Sequence, residues 1–121
     1  MSMPYDEWKA ITDAMYGGKI SDHEATNQLV ELLKKNGINQ RSPDHDYLAA
    51  SYFVYDKENW ATQENKPLGL GLLYKKPDGT NTQDIFIAHP NGHIERYYSE
   101  QEMVEKYPSM VGVHKKTHPQ F

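Results

Sequence analysis

Two turns spelled in nearly the same letters restrict this chain more than any other feature: Lys-Pro-Asp-Gly-Thr at 76–80 and His-Pro-Asn-Gly-His at 89–93. Proline presets φ for the second position of a turn, Asp or Asn tolerates the third, and Gly takes the left-handed conformation. Each text fits a β-hairpin closed by a type I turn and a bulge. Ahead of the first turn, Leu68, Leu70, Leu72 and Tyr74 alternate with Gly69 and Gly71. A period of two puts the large residues on one sheet face and leaves the glycine face shallow, suited to the close approach of a helix, a backbone or a ligand. A three-stranded antiparallel meander is the expectation. The glycine pair is no dinucleotide fingerprint, because it lacks the third glycine and a βαβ context.

The stretch from Asp84 to Tyr107 reads as strand, turn, strand and capped helix. Ser99 and Glu102 form a capping box, Tyr98 and Met103 stand in staple positions, and Pro108 ends the helix. This order of elements resembles, locally, part of the methyl-CpG-binding domains, whose hairpin and helix present arginines to DNA. The resemblance covers about a fifth of the chain, rests on pattern alone, and has only Arg96 near where that family places a basic residue.

Upstream, Pro4 and the spacing of Tyr5, Trp8, Ile11 and Met15 predict a helix stopped by Gly17 and Gly18. A second capping box, Ser21 with Glu24, opens a helix whose stripe is Ala25, Leu29, Leu32 and Leu33. Gly37 and Ile38 fit a Schellman stop, so the two helices should pack as an antiparallel hairpin. In 42–60 the Tyr, Phe and Val content would suit a strand, but Ser42 followed by Pro43 decides for a third helix. Residues 61–67 read as a polar loop and 109–121 as an irregular tail. The predicted fold is a single α+β domain over 1–121, with a helical part (1–60) packed on the meander and a last helix closing it (68–108).

One domain fits 121 residues, long enough to bury a core unaided. No apolar run approaches the roughly 20 residues of a membrane span, and the start lacks a signal-peptide pattern. With no cysteine there is no disulfide, thiolate nucleophile or zinc thiolate site, and a cytoplasmic setting is expected. The net charge of −4 argues against a dominant nucleic-acid role. Charge is nonetheless lopsided: between 42 and 66, Asp44, Asp46, Asp56, Glu58 and Glu64 face only Lys57 and Lys66, whereas Lys115 and Lys116 lie in a tail without acids.

Three functional readings follow. Nine tyrosines and two tryptophans exceed what a core this size needs, and semi-rigid rings supply interface energy at little entropic cost. The leading expectation is therefore a small non-catalytic module that binds and occludes a basic protein, as an inhibitor, immunity or phage-type accessory protein does. Tyr47, Tyr55, Trp60, Tyr97, Asp44 and Asp46 are its candidate interface residues, and no cofactor is implied. A second reading is a metal-assisted hydrolase or ligand-binding domain centred on His89, His93 and Glu95. The two imidazoles share a face if the turn has three residues and a bulge; they point to opposite faces if Asn91 and Gly92 alone make a type I′ turn. A third is a nucleic-acid-binding accessory protein using Arg96, Lys115 and Lys116. No serine stands in a nucleophile-elbow context.

Overall fold

Both turns close with three residues and a bulge. Gly79 N–H donates to the Lys76 carbonyl at 2.9 Å and Lys76 N–H to the Thr80 carbonyl at 2.9 Å. In the second turn Gly92 N–H donates to the His89 carbonyl at 2.8 Å and His89 N–H to the His93 carbonyl at 2.9 Å. Gly79 and Gly92 take φ of 89° and 90°, where a side chain would be strained.

The computed structural model describes residues 2–39, 47–59 and 68–114, with backbone alone at 47–49, 59, 113 and 114. In chain order the elements are α1 (Tyr5–Tyr16), α2 (Asp22–Lys35), β1 (Tyr47–Asp56), β2 (Gly69–Lys75), β3 (Asn81–Ala88), β4 (Ile94–Tyr97), α3 (Glu100–Lys106) and β5 (Met110–His114). The strands form one sheet in the order β4-β3-β2-β1-β5, antiparallel at every step. The α+β class is as expected, but the sheet has five strands and not three.

Both extra strands come from segments read otherwise in the sequence. The expected third helix is β1, and its burial gives the reason: Tyr52, Phe53, Val54 and Tyr55 are all buried. A helix lying on a sheet hides one side, whereas a strand covered on both faces hides successive residues and reads as a continuous apolar run. The supposedly irregular tail supplies β5, which pairs with β1 from Tyr52↔His114 to Asp56↔Met110. Periodicity is blurred there because Gly112 stands where a large residue would complete it.

Helix punctuation matches the sequence more closely. Ser21 Oγ accepts the Glu24 N–H at 3.0 Å, and Ile38 N–H donates to the Leu33 carbonyl at 2.8 Å across Gly37 in the Schellman pattern. The α1–α2 hairpin covers one sheet face, burying Trp8, Met15, Leu29 and Leu33 against Phe53, Tyr55, Leu70, Leu72, Tyr74 and Phe86. On the other face Tyr52, Val54, Ile85, Ile87 and Met110 enclose Met103 of α3. Since β4 and β5 are opposite edges, α3 must carry the chain across that face, about 19 Å at four strand spacings. A seven-residue helix spans about 10 Å of it, and the flanking residues the rest. No helix among the described residues is long and apolar enough to cross a membrane.

The shallow glycine face is filled by a ring of the neighbouring strand. A Cβ at Gly71 would lie 2.2 Å from Tyr52 Cζ, and one at Gly112 would lie 2.6 Å from Tyr52 Cε2. Tyr52 is 1% exposed and donates its hydroxyl to Gln83 Oε1 at 2.9 Å, so the ring is fixed at both ends. Gly71→Ala should therefore lower unfolding free energy by about 1–3 kcal/mol through overpacking, read from the urea midpoint. An unchanged midpoint would show that the ring does not lie over Gly71.

Candidate functional site

The three-residue turn at 90–92 settles where the imidazoles go. His89 and His93 end opposite each other on the face that carries α3, their rings stacked with centroids 5.8 Å apart and planes 24° from parallel. Glu95, paired with Ile87 two register positions further on, projects to the same face. His89 Nε2 lies 2.5 Å from Glu95 Oε1. The three residues of the second reading are thus brought together.

They are joined by two side chains for which the sequence offered no signal. Lys106, at the end of α3, donates to Glu95 Oε2 at 2.6 Å, and Tyr107 donates to Oε1 at 2.5 Å. Tyr97 O–H, on Glu95's own strand, reaches Oε2 at 2.8 Å. Tyr97 and Tyr107 meet edge to face at 6.5 Å, and Tyr107 tilts against His89 at 6.3 Å. Lys106 and Tyr107 lie 11 and 12 residues from Glu95, a separation at which no helix or strand period links side chains.

Four donors on one carboxylate decide its charge state. Burial raises the Glu95 carboxyl, but donation from Lys106, Tyr107, Tyr97 and His89 lowers it more, and it is held well below the usual carboxylate range. The same contacts act in reverse on the partners. Burial and the adjacent Glu95 push the Tyr97 phenol up to about 12, and Glu95 raises Tyr107 and Lys106 as well. A carboxylate so weakly basic is unsuited to taking a proton at neutral pH. Both its oxygens are also engaged within the protein. Among the described residues no three His, Asp or Glu side chains form a group that could hold a metal.

Of the other predicted residues that the structure describes, Tyr97 belongs to this cluster and Tyr55 and Arg96 lie apart from it. Tyr55 is a correction: it is 0% exposed, its hydroxyl bonded to that of Tyr16 under the helical hairpin, so it cannot face a partner. Among the described aromatics only Tyr98, at 42%, counts as exposed. The tyrosine surplus is largely core and polar network. Tyr97 is half-buried and committed to Glu95. Arg96 projects to the opposite face, its guanidinium 4.7 Å over the Phe86 ring, its Nε 3.9 Å from buried Asp84 and an N–H on the Asn39 carbonyl. With its side chain 18% exposed, it ties β4 to the end of the α2 segment. Asp44, Asp46, Trp60, Lys115 and Lys116 lie outside the described residues, as does the side chain of Tyr47.

A second feature, a groove between the two helices, was not anticipated from the sequence, although two of its floor residues were. Between α1 and α2, on the side away from the sheet, an open groove of about 430 Å³ is lined by Ala10, Ile11 and Leu32 and edged by Glu7, Gln28, Glu31 and Lys35. Helical spacing predicted Ile11 and Leu32 as stripe residues, and the groove opens where the margins of the two stripes meet. No family model matches the chain, and no characterised protein or solved structure matches it.

The Glu95 cluster makes a pH prediction with a definite sign. A carboxyl depressed below its ordinary 4.5 contributes stability that is present above that value and lost as pH falls through the folded value. From about pH 5 to about pH 2 the wild-type Tm should fall more steeply than that of Glu95→Gln, the two converging in acid. At neutral pH the variant should be less stable by about 1–3 kcal/mol. Parallel Tm curves would contradict this account.

Proposed function

We propose that this chain is a small, non-catalytic protein-binding module that occludes a basic partner in a cytoplasmic setting, seating an amphipathic segment of it in the α1–α2 groove. The observation that carries the reading is the groove itself, with an apolar floor of Ala10, Ile11 and Leu32 between the carboxylates of Glu7 and Glu31. Its lining has two acids to one base, in a chain with 17 acids and 13 Lys and Arg. An apolar floor with acidic rims suits a basic amphipathic helix, whose apolar residues enter the groove while its cations meet the rims.

The groove's charges remain available to a partner. Lys35 Nζ stands 4.0 Å from Glu7 and Lys34 Nζ 3.7 Å from Glu31, all with largely exposed side chains, and such surface pairs are worth little in water. The binding energy would come from the floor, and the rims would steer approach, so added salt slows association more than it speeds dissociation. The hydrolase reading is weaker because Glu95 is saturated from within. The nucleic-acid reading is weaker because Arg96 is committed to Asp84, Phe86 and Asn39.

Affinity capture with the full chain tests the proposal. Ala10 is exposed, so Ala10→Arg fills the groove and cancels the net negative charge of its lining without disturbing the core. The basic protein captured by the wild type should bind this variant at least about tenfold more weakly, a loss of about 1.4 kcal/mol. Tyr98→Ala, at the entry of α3, should leave binding unchanged. Equal capture by Ala10→Arg, or a captured protein that is acidic, would refute the groove as the docking surface.

A further inference from the structure

The Glu95 cluster holds one group whose chemistry the network leaves open. Glu95 already accepts hydrogen bonds from Lys106, Tyr97 and Tyr107 on its two oxygens, so in the 2.5 Å contact it is the acceptor again and the His89 Nε2 carries the hydrogen. In the neutral ring that leaves the Nδ1 lone pair as the basic site. A carboxylate fixing one nitrogen of a histidine while the other faces a cation is the usual outer support of protein metal sites.

Across the hairpin stands a second imidazole. His93 is exposed and can change its side-chain rotamer without moving the backbone. Its separation from His89 suits a shared ion. With metal–nitrogen bonds of about 2.0–2.1 Å, a bound metal lies about 3.2 Å from an imidazole centroid. Two such rings on one ion then stand about 5.2 Å apart at a tetrahedral angle and about 6.4 Å apart when trans. The observed 5.8 Å falls between these limits, so the rings must rotate out of their stack but need not approach or separate.

We infer that His89 and His93 form a two-imidazole site for a late first-row divalent cation, Zn²⁺, Cu²⁺ or Ni²⁺, with Glu95 holding His89 in the ligating tautomer. Imidazole nitrogen selects these ions over Mg²⁺ and Ca²⁺, which prefer oxygen donors. Glu95 is a supporting group here, not a third ligand, so the remaining coordination positions fall to water or to a partner's side chain. Lys106, 2.6 Å from the other Glu95 oxygen, opposes the dication and keeps its affinity moderate. This site is independent of the groove, and either can fail without the other.

Titration of the full chain with Cu²⁺, followed by electron paramagnetic resonance and calorimetry, provides the test. His23, His45, His114 and His118 could also take up the ion, so each measurement is paired with variants. One equivalent should bind with two-nitrogen coordination, and His93→Gln, an exposed change, should weaken it at least about tenfold. His23→Gln and His114→Gln should leave it unaltered, and Lys106→Gln should tighten it. Absence of binding by the wild type, or undiminished binding by His93→Gln with an unchanged circular dichroism spectrum, would overturn the assignment.

Discussion

One carboxylate holds together three parts of the chain that the backbone alone would leave loosely joined. Glu95 sits on edge strand β4, receives His89 from the end of β3, and receives Lys106 and Tyr107 from the end of α3. The dependence is greatest for α3, whose seven residues are too few to be stable as an isolated helix. Three anchors hold it: the Ser99 Oγ cap at 3.1 Å on the Glu102 N–H, the fully buried Met103 in the middle, and Glu95 at the far end. Because α3 carries the chain to β5, the anchor at Glu95 also governs whether the fifth strand is delivered to β1.

The same saturation shapes what the site can do. A carboxylate with four donors is a strong structural anchor and a poor base, since every hydrogen bond that stabilises its charge removes affinity for a proton. Lys106 is exposed and its pairing is screened, so most of the anchoring falls to the half-buried Tyr97, Tyr107 and His89. The cluster is therefore a fastening with imidazoles on its rim, and the groove proposed as the docking surface belongs to the helical hairpin on the other face of the sheet.

Much of this fold was legible in the letters because its punctuation is local. Ser21, Ser99, Gly37, Gly79 and Gly92 each act within five residues of themselves, and each does what its type predicts. The errors arose where a distant partner decides. Residues 47–56 carry a helix-start signal just upstream, yet cover from both faces makes them a central strand. Met110–His114 looks aperiodic because Gly112 is shaped to the ring of Tyr52 on another strand. Of the site, His89, His93 and Glu95 could be grouped only under the three-residue reading of the turn, which the letters left open against a type I′ turn and the observed hydrogen bonds decide. Lys106 and Tyr107 could not, since only the crossing of α3 over the sheet brings them there. The tyrosines misled for a related reason: Tyr52, Tyr55 and Tyr74 are buried, although their hydroxyls suggest a surface.

The central claim, that Glu95 is an ionised anchor and not a proton-transfer group, can be read at the atom concerned. Carbon-13 NMR of the Glu95 side-chain carboxyl, followed from neutral pH into acid, reports its protonation directly. The account predicts a resonance that stays at its ionised position well below the ordinary value of 4.5 and shifts only as the fold is lost. A carboxyl that titrates at or above 4.5 in the folded protein would contradict it and return the cluster to the list of acid–base centres.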